Sequence, residues 1–168
     1  MRVAVTGTPG TGKTTATERL DTDLDVVHLN DVVTSEGFST GVDEERGSLV
    51  ADLDAVADWL DGHEDVVFES HLAHHFDADR VVVLRAHPET VADRLRSRGD
   101  EEAKAAENAE SEALDVILSE AVDRHGTDAV YEVVTTDSDP DEVAAAIESV
   151  IEGEREPSAG TVSYVDWL

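Results

Sequence analysis

A glycine-rich segment near the start of the chain has the residue types and spacing of a phosphate-binding loop. It reads GTPGTGKT over residues 7–14 and matches the pattern G-x-x-x-x-G-K-[ST]. Glycines let backbone N–H groups turn toward phosphate oxygens, and Lys13 adds a positive charge at the β- and γ-phosphates. The Thr14 hydroxyl can ligate Mg²⁺, and Thr15 can reach the α-phosphate. The segment therefore predicts a site for ATP and Mg²⁺.

Arginines are scarce in this chain, so their clustering is informative. Four of the ten fall within fourteen residues: Arg85, Arg94, Arg96 and Arg98. Phosphoryl transfer needs positive charge at the moving group, and Arg94 and Arg98 are spaced to share one face of a helix. Cations at a helix C-terminus also complement its dipole without any ligand. Beside a phosphate-binding loop, we interpret the two arginines as catalytic.

The elements that must position these residues alternate between short apolar runs and amphipathic stretches. Buried strands are predicted at 2–6, 25–29, 66–68, 81–84 and 130–134. Helices are predicted at 14–20, 48–60 and 89–97, along a segment ending near 124, and at 141–151. This order favours a three-layer α/β/α fold around a five-stranded parallel sheet.

Charge excludes several classes of partner. Forty acidic against twelve basic side chains give a net charge of −28. Such a surface disfavours non-specific nucleic-acid binding and anionic membranes, and it favours a basic protein partner and a halophilic cytoplasm. The absence of cysteine excludes disulfides and thiolate metal sites. With no charged-then-apolar leader and no apolar run near membrane-span length, we expect a cytoplasmic protein.

Four segments together carry a resemblance to a known family. GTPGTGKTT at 7–15, GVDEE at 41–45, ESH at 69–71 and RLRSRG at 94–99 resemble the adenylate kinase isoenzyme 6 (CINAP) family, a branch of the P-loop nucleoside monophosphate (NMP) kinases. The resemblance implies one domain over residues 1–153, with an NMP-binding region near 28–51 and a lid near 98–108. Residues 154–168 form a C-terminal tail, which we expect to pack on the protein's own core.

The resemblance also assigns residues to roles. The residues expected to bind ATP are Gly10, Gly12, Lys13, Thr14 and Thr15, with Arg98 closing over it. Glu69 stands where that family usually has Asp, and it would hold Mg²⁺ with Thr14 or orient an attacking water. His71 matches the family histidine and would position the nucleophile or order water.

The acceptor side carries fewer signals. Asn30, Asp31 and the acidic residues near 43–45 can contact a ribose, a base or a basic protein. Arg46 is the only arginine between Arg19 and Arg80, so the predicted grip on an acceptor phosphate is thin. The histidines at 71, 74 and 75 lack typical metal-site spacing, and we interpret them as solvated surface or a lid contact.

Two functions are compatible with these residues. One is an adenylate kinase-like enzyme that transfers the γ-phosphoryl group of ATP to AMP or another NMP. The resemblance adds ATPase activity and a role in maturation of the small ribosomal subunit and its 16S rRNA, with ribosomal protein uS11 and the small-subunit precursor as partners. The alternative is an ATPase assembly factor that releases uS11 and has little kinase activity. A third, non-enzymatic scaffold is disfavoured by the intact Lys13, Thr14, Arg94 and Arg98.

Overall fold

A computed structural model describes residues 1–43 and 48–168. The strands are β1 (Arg2–Gly7), β2 (Asp25–His28), β3 (Ser39–Asp43), β4 (Ser48–Ala51), β5 (Val66–Glu69), β6 (Arg80–Arg85) and β7 (Val130–Val134). The helices are α1 (Lys13–Thr17), α2 (Leu29–Glu36), α3 (Leu53–Leu60), α4 (Pro88–Ser97), α5 (Glu102–Ala113), α6 (Val116–His125) and α7 (Pro140–Ile151). Single 3-10 turns lie at Ala73–His75, Thr127–Ala129 and Val165–Trp167.

Five parallel strands form the central sheet in the order β2-β5-β1-β6-β7. Alternate residues of β1 point to opposite faces, so Ala4 packs in the layer with α2, α3 and α6, while Val3 and Val5 pack in the layer with α1 and α7. The predicted five-stranded α/β/α fold is therefore confirmed. A parallel sheet places the carboxyl ends of its strands at one edge, where ligands bind in such folds.

Two predicted helices were wrong in detail. Residues 48–51 form strand β4, paired with β3 in an antiparallel hairpin, and the helix begins only at Leu53. The Asp52 side chain caps α3 by accepting a hydrogen bond from Ala55 N at 3.2 Å. The helical segment ending near 124 is divided into α5 and α6 by Asp115, which has a positive φ of 55°. Neither α2 nor the hairpin was predicted.

The C-terminal tail lies along the protein's own surface. Ser158 N donates to Val130 O at 3.0 Å, beside β7. Trp167 packs against the apolar contact between α4 and α5, and its Nε1 donates to Glu89 Oε1 at 2.9 Å. Among the helices of the described residues, none combines the length and apolar character that crossing a membrane requires.

Candidate active site

The phosphate-binding loop connects the C-terminal end of β1 to the first residue of α1. Gly10 and Gly12 have φ values of +94° and +91°, a region that side-chain-bearing residues rarely adopt. A Cβ atom on Gly10 would lie 3.1 Å from the Leu95 side chain and from Val91 O, so α4 packs directly on the loop there. The glycines thus serve both the turn and a close backbone approach.

Distant parts of the chain hold the loop in shape. Arg94 donates to Gly10 O at 3.2 Å, and Thr135 Oγ1 donates to Thr11 O at 2.9 Å. Thr8 Oγ1 donates to Glu112 Oε1 at 3.0 Å. Arg94 was predicted as a catalytic arginine. The structure places it against the loop backbone, where it is partly buried and also bonded to Thr135.

Lys13 lies inside the loop that it belongs to. Its Nζ donates to Gly7 O at 2.9 Å and to Thr8 O at 3.1 Å. Burial lowers the pKa of Lys13 from 10.5 to about 8, although nearby Glu69 favours the charged form. A polyphosphate at this position would supply the negative charge that the buried ammonium lacks.

Glu69 ends strand β5 at the same edge of the sheet and is almost fully buried. Its Oε1 accepts hydrogen bonds from Thr14 Oγ1 at 2.9 Å and from His28 Nδ1 at 2.8 Å. A carboxylate beside a threonine hydroxyl is the hard-oxygen donor set that Mg²⁺ prefers. These two residues therefore fit the ion that the loop motif implies.

His28 is a site residue that the sequence analysis named only as a boundary. It ends β2, directly opposite Glu69 in the parallel pairing of β2 with β5. The available signal was a polar residue near the end of each predicted strand: His28 is next to last in 25–29, and Glu69 directly follows 66–68. The strand order that makes them neighbours could not be derived from the sequence.

His71 follows β5 by two residues and lines the site. The pKa of His71 is lowered from 6.5 to about 4, mainly by burial and to a smaller extent by the positive charge of Lys13. The imidazole is therefore neutral at pH 7. It can orient a hydroxyl, a water or a phosphate oxygen by hydrogen bonding, but it does not contribute a fixed positive charge.

A polar cleft of about 760 Å³ opens over the loop. The predicted site residues that line it are Gly10, Gly12, Lys13, Thr14, Thr15, Asn30, Glu69, His71, Arg94 and Arg98. Asp31 does not line this cleft, and Arg46 lies outside the described residues. Most of the predicted site therefore converges on one place.

The positively charged side chains near this cleft differ in their exposure and in whether they line it. Arg98 is exposed and pairs with Asp100 at 2.8 Å. Lys104, which the sequence analysis did not select, also lines the cleft from α5. It is the only other lysine in a chain with forty acidic residues, and that scarcity was the available signal. Arg85 of the predicted arginine cluster is wholly buried and does not line the cleft.

A smaller, more apolar cavity of about 260 Å³ adjoins the cleft. Its apolar walls include Leu29, Val33, Val56 and Phe76. Three residues line both cavities: Asn30, His71 and Leu72. The site thus has one polar compartment over the loop and one apolar compartment beside it.

Comparisons with known proteins agree with this geometry. The family described as AAA domain (AAA_18) matches residues 3–115. A Halobacterium salinarum protein named "Putative adenylate kinase" is 67% identical over the full length of both chains, and one from Natronomonas pharaonis is 63% identical, also over both full lengths. A Pyrococcus furiosus protein of the same name is 39% identical, with 99% of this chain and 91% of that protein covered.

The fold has a solved counterpart in shikimate kinase from Bacteroides thetaiotaomicron. The two structures superpose with a TM-score of 0.59 over 90% of this chain and 98% of that one, at 18% identity. At that identity the likeness concerns the fold alone.

Proposed function

The chain belongs to the AAA domain family AAA_18, and we propose that it is a nucleoside monophosphate kinase, in line with the adenylate kinase name of its archaeal relatives. It would transfer the γ-phosphoryl group of Mg·ATP to AMP or a related NMP. The adenylate kinase name of the relatives favours AMP as the acceptor.

One observation carries this proposal: the two adjoining cavities share Asn30, His71 and Leu72. A kinase must hold its donor and its acceptor in contact while excluding bulk water. The polar cleft suits a triphosphate, and the apolar cavity suits the base of a second nucleotide. A simple ATPase needs only the first compartment.

The donor side is assigned to the loop and to the end of β5. Gly10, Gly12, Lys13, Thr14 and Thr15 would hold the ATP phosphates. Thr14 and Glu69 would hold Mg²⁺, which supplies charge neutralisation at the phosphates. In this chain Glu69 takes the place of the Asp usual in the isoenzyme 6 family, and its carboxylate contacts both Thr14 and His28.

Phosphoryl transfer needs a positively charged side chain that moves onto the phosphate when the substrate binds. Arg98 is suited to this role because its guanidinium has only one partner among the described residues, the neighbouring Asp100. Exposed ion pairs of this kind contribute little free energy, so the pair can be exchanged readily. In this proposal Arg98 leaves Asp100 and binds the phosphate when the substrate is present. The segment 98–108 acts as a lid. Arg94 would shape the loop and contribute its charge from there.

The acceptor side is assigned to the region 28–51 and to His71. Neutral His71 lies at the junction of both cavities, where it can orient the acceptor phosphate. Asn30, which accepts a hydrogen bond from Ser70 Oγ at 3.2 Å, would contact the acceptor. Arg46, the single arginine of this region, completes the proposed acceptor contacts, whereas Asp31 lines neither cavity.

The test is the stoichiometry of ADP formation with Mg²⁺ in concentrated KCl. A kinase forms two ADP for each ATP consumed, and only when AMP is present; an ATPase forms one ADP and one phosphate without AMP. Lys13→Ala should abolish turnover in either case. Phosphate release that AMP leaves unchanged, with no AMP-dependent ADP, would contradict the kinase assignment.

Variants at the end of α4 test the role of charge. We expect Arg98→Ala to lower kcat more than it weakens ATP binding, because the guanidinium acts mainly on the moving phosphoryl group. Arg96→Ala is the matched control, since Arg96 is exposed on the same helix but pairs with Asp93 and Glu102 and does not line the cleft. Equal kcat in the Arg98 and Arg96 variants would contradict the assignment.

A second candidate function is favoured by the charge of the chain. A net charge of −28 suits a basic protein partner, as in the isoenzyme 6 family, where ATP hydrolysis accompanies binding of uS11 and maturation of the small-subunit precursor. Binding of uS11 measured with ATP and with ADP decides it. A partner released on hydrolysis must bind the two states with different affinity, and equal affinity would exclude this role.

A further inference from the structure

Three side chains of types that can ligate metals lie together beside the cleft, and two of them, His75 and Glu120, line it. His74 and His75 lie on the 3-10 turn after β5, and Glu120 lies on α6. One ligand atom from each lies within 4.8 Å of the other two. The expectation that these histidines form solvated surface or a lid contact is wrong for His74, which is only 1% exposed.

The contacts within this cluster leave it incompletely bonded. His74 Nε2 lies 2.7 Å from Glu120 Oε2, which is a hydrogen bond. His75 Nε2 lies 3.6 Å from the same oxygen, which is too long for one. The two imidazole rings lie 4.3 Å apart, centroid to centroid. Two ring nitrogens therefore face one carboxylate oxygen, which is hydrogen-bonded to only one of them.

His74 is held as metal-ligating histidines usually are. Its other ring nitrogen, Nδ1, lies 2.7 Å from Thr6 Oγ1, which is buried in β1 immediately before the phosphate-binding loop. In this structure Nε2 donates to Glu120. Because the Thr6 hydroxyl can accept as well as donate, Nδ1 can carry the ring proton instead, which would leave Nε2 able to bind a metal. His125 Nε2 also contacts His74 O at 2.9 Å, which helps fix the turn.

The donor chemistry selects a class of metal. Two imidazole nitrogens and one carboxylate oxygen suit Zn²⁺ and similar borderline cations, with water completing the coordination. Mg²⁺ and Ca²⁺ prefer oxygen ligands and would not favour two imidazoles. We propose that His74, His75 and Glu120 form a binding site for a divalent transition metal of the zinc type. A bound ion would join α6 to the turn that follows Glu69.

The test uses the nucleotide-free protein in concentrated KCl, because ATP itself chelates Zn²⁺. Titration calorimetry with Zn²⁺ should show one site that a large excess of Mg²⁺ does not displace. His75→Ala and Glu120→Gln should each weaken it at least about tenfold, since each removes one of three ligands. Both side chains are partly exposed, so these variants are suited to remain folded.

His63→Ala is the matched control. His63 lies after α3, stacks on Trp59 and belongs to no cluster of this kind among the residues that the structure describes, so Zn²⁺ affinity should be unchanged. Zn²⁺ should raise the melting temperature of the wild type and of this control but not of Glu120→Gln. Binding that survives both cluster substitutions, binding that Mg²⁺ displaces, or no binding at all would overturn the proposal.

Discussion

The buried ion pairs of Arg85 are predicted to make a large contribution to the stability of the fold that positions the site. Arg85 ends β6 and is 0% exposed. It donates to Glu112 at 3.2 Å and to Glu132 at 2.6 Å, and it pairs with Asp115, the residue of positive φ between α5 and α6. Burial lowers the pKa of Arg85, but these carboxylates outweigh it and raise that pKa above its usual value. We predict that Arg85→Met strongly destabilises the protein.

The magnitude follows from what the substitution leaves behind. Glu112 and Glu132 are both almost fully buried, so without Arg85 two carboxylates stay in the core without their cation. Removing one member of a buried pair costs about 3 to 5 kcal/mol. For a chain of this size each kcal/mol shifts the melting temperature by about 2 to 4 °C. The expected fall is therefore about 6 to 20 °C.

Thermal unfolding followed by circular dichroism, at one fixed KCl concentration, measures this fall. Arg96→Met is the control: Arg96 makes comparable contacts, at 3.0 Å to Asp93 and 2.7 Å to Glu102, but at the surface. Exposed pairs are screened by water and salt, so its effect should be much smaller. Adding Glu112→Gln to Arg85→Met should recover part of the loss. Equal shifts for the two arginine variants would refute the argument from burial.

Three further predictions concern pH and salt. The pKa of Lys13 is about 8 in the folded chain and ordinarily 10.5, so between these pH values the unfolded chain binds more protons than the folded chain. The free energy of unfolding should therefore rise with pH from about 8 to 10.5. Urea titrations of a Lys13→Met variant should lack this rise. Folding lowers the pKa of His71 from 6.5 to about 4, so the unfolded chain binds more protons between these values. The free energy of unfolding should therefore decline as the pH drops from 6.5 to 4, and its pH profile should be flatter in His71→Asn. With a net charge of −28, the melting temperature should increase with KCl as repulsion is screened, and a temperature independent of KCl would exclude that explanation.

The sequence was most informative where one residue type has one physical use. The glycines and Lys13 of the loop predicted its place between a strand and a helix, and the valine-rich runs predicted all five strands of the sheet. Helix boundaries were less accurate. Apolar residues at 49, 50 and 53 fit a helical spacing, but the first two belong to a hairpin strand and the helix starts after Asp52.

The residues that were missed depend on contacts between distant parts of the chain. His28 meets Glu69 only because β2 and β5 are neighbours in the sheet. Glu112 looks like one more surface acid in its helix, yet it binds Arg85, Ala86 N and Thr8. Glu120 lies 46 residues beyond His74, the residue that it contacts. Local pattern gives no register and no strand order, so such partners appear only in the folded chain.

The bonds that shape the phosphate-binding loop also set when it can form during synthesis. Its partners Arg94, Glu112 and Thr135 follow the loop residues that they contact by 84, 104 and 124 positions. A nascent chain therefore exposes the glycine-rich segment long before the groups that fix it have been translated. Nucleotide capture should therefore begin only after Thr135 has been translated, which would keep shorter nascent chains from consuming ATP.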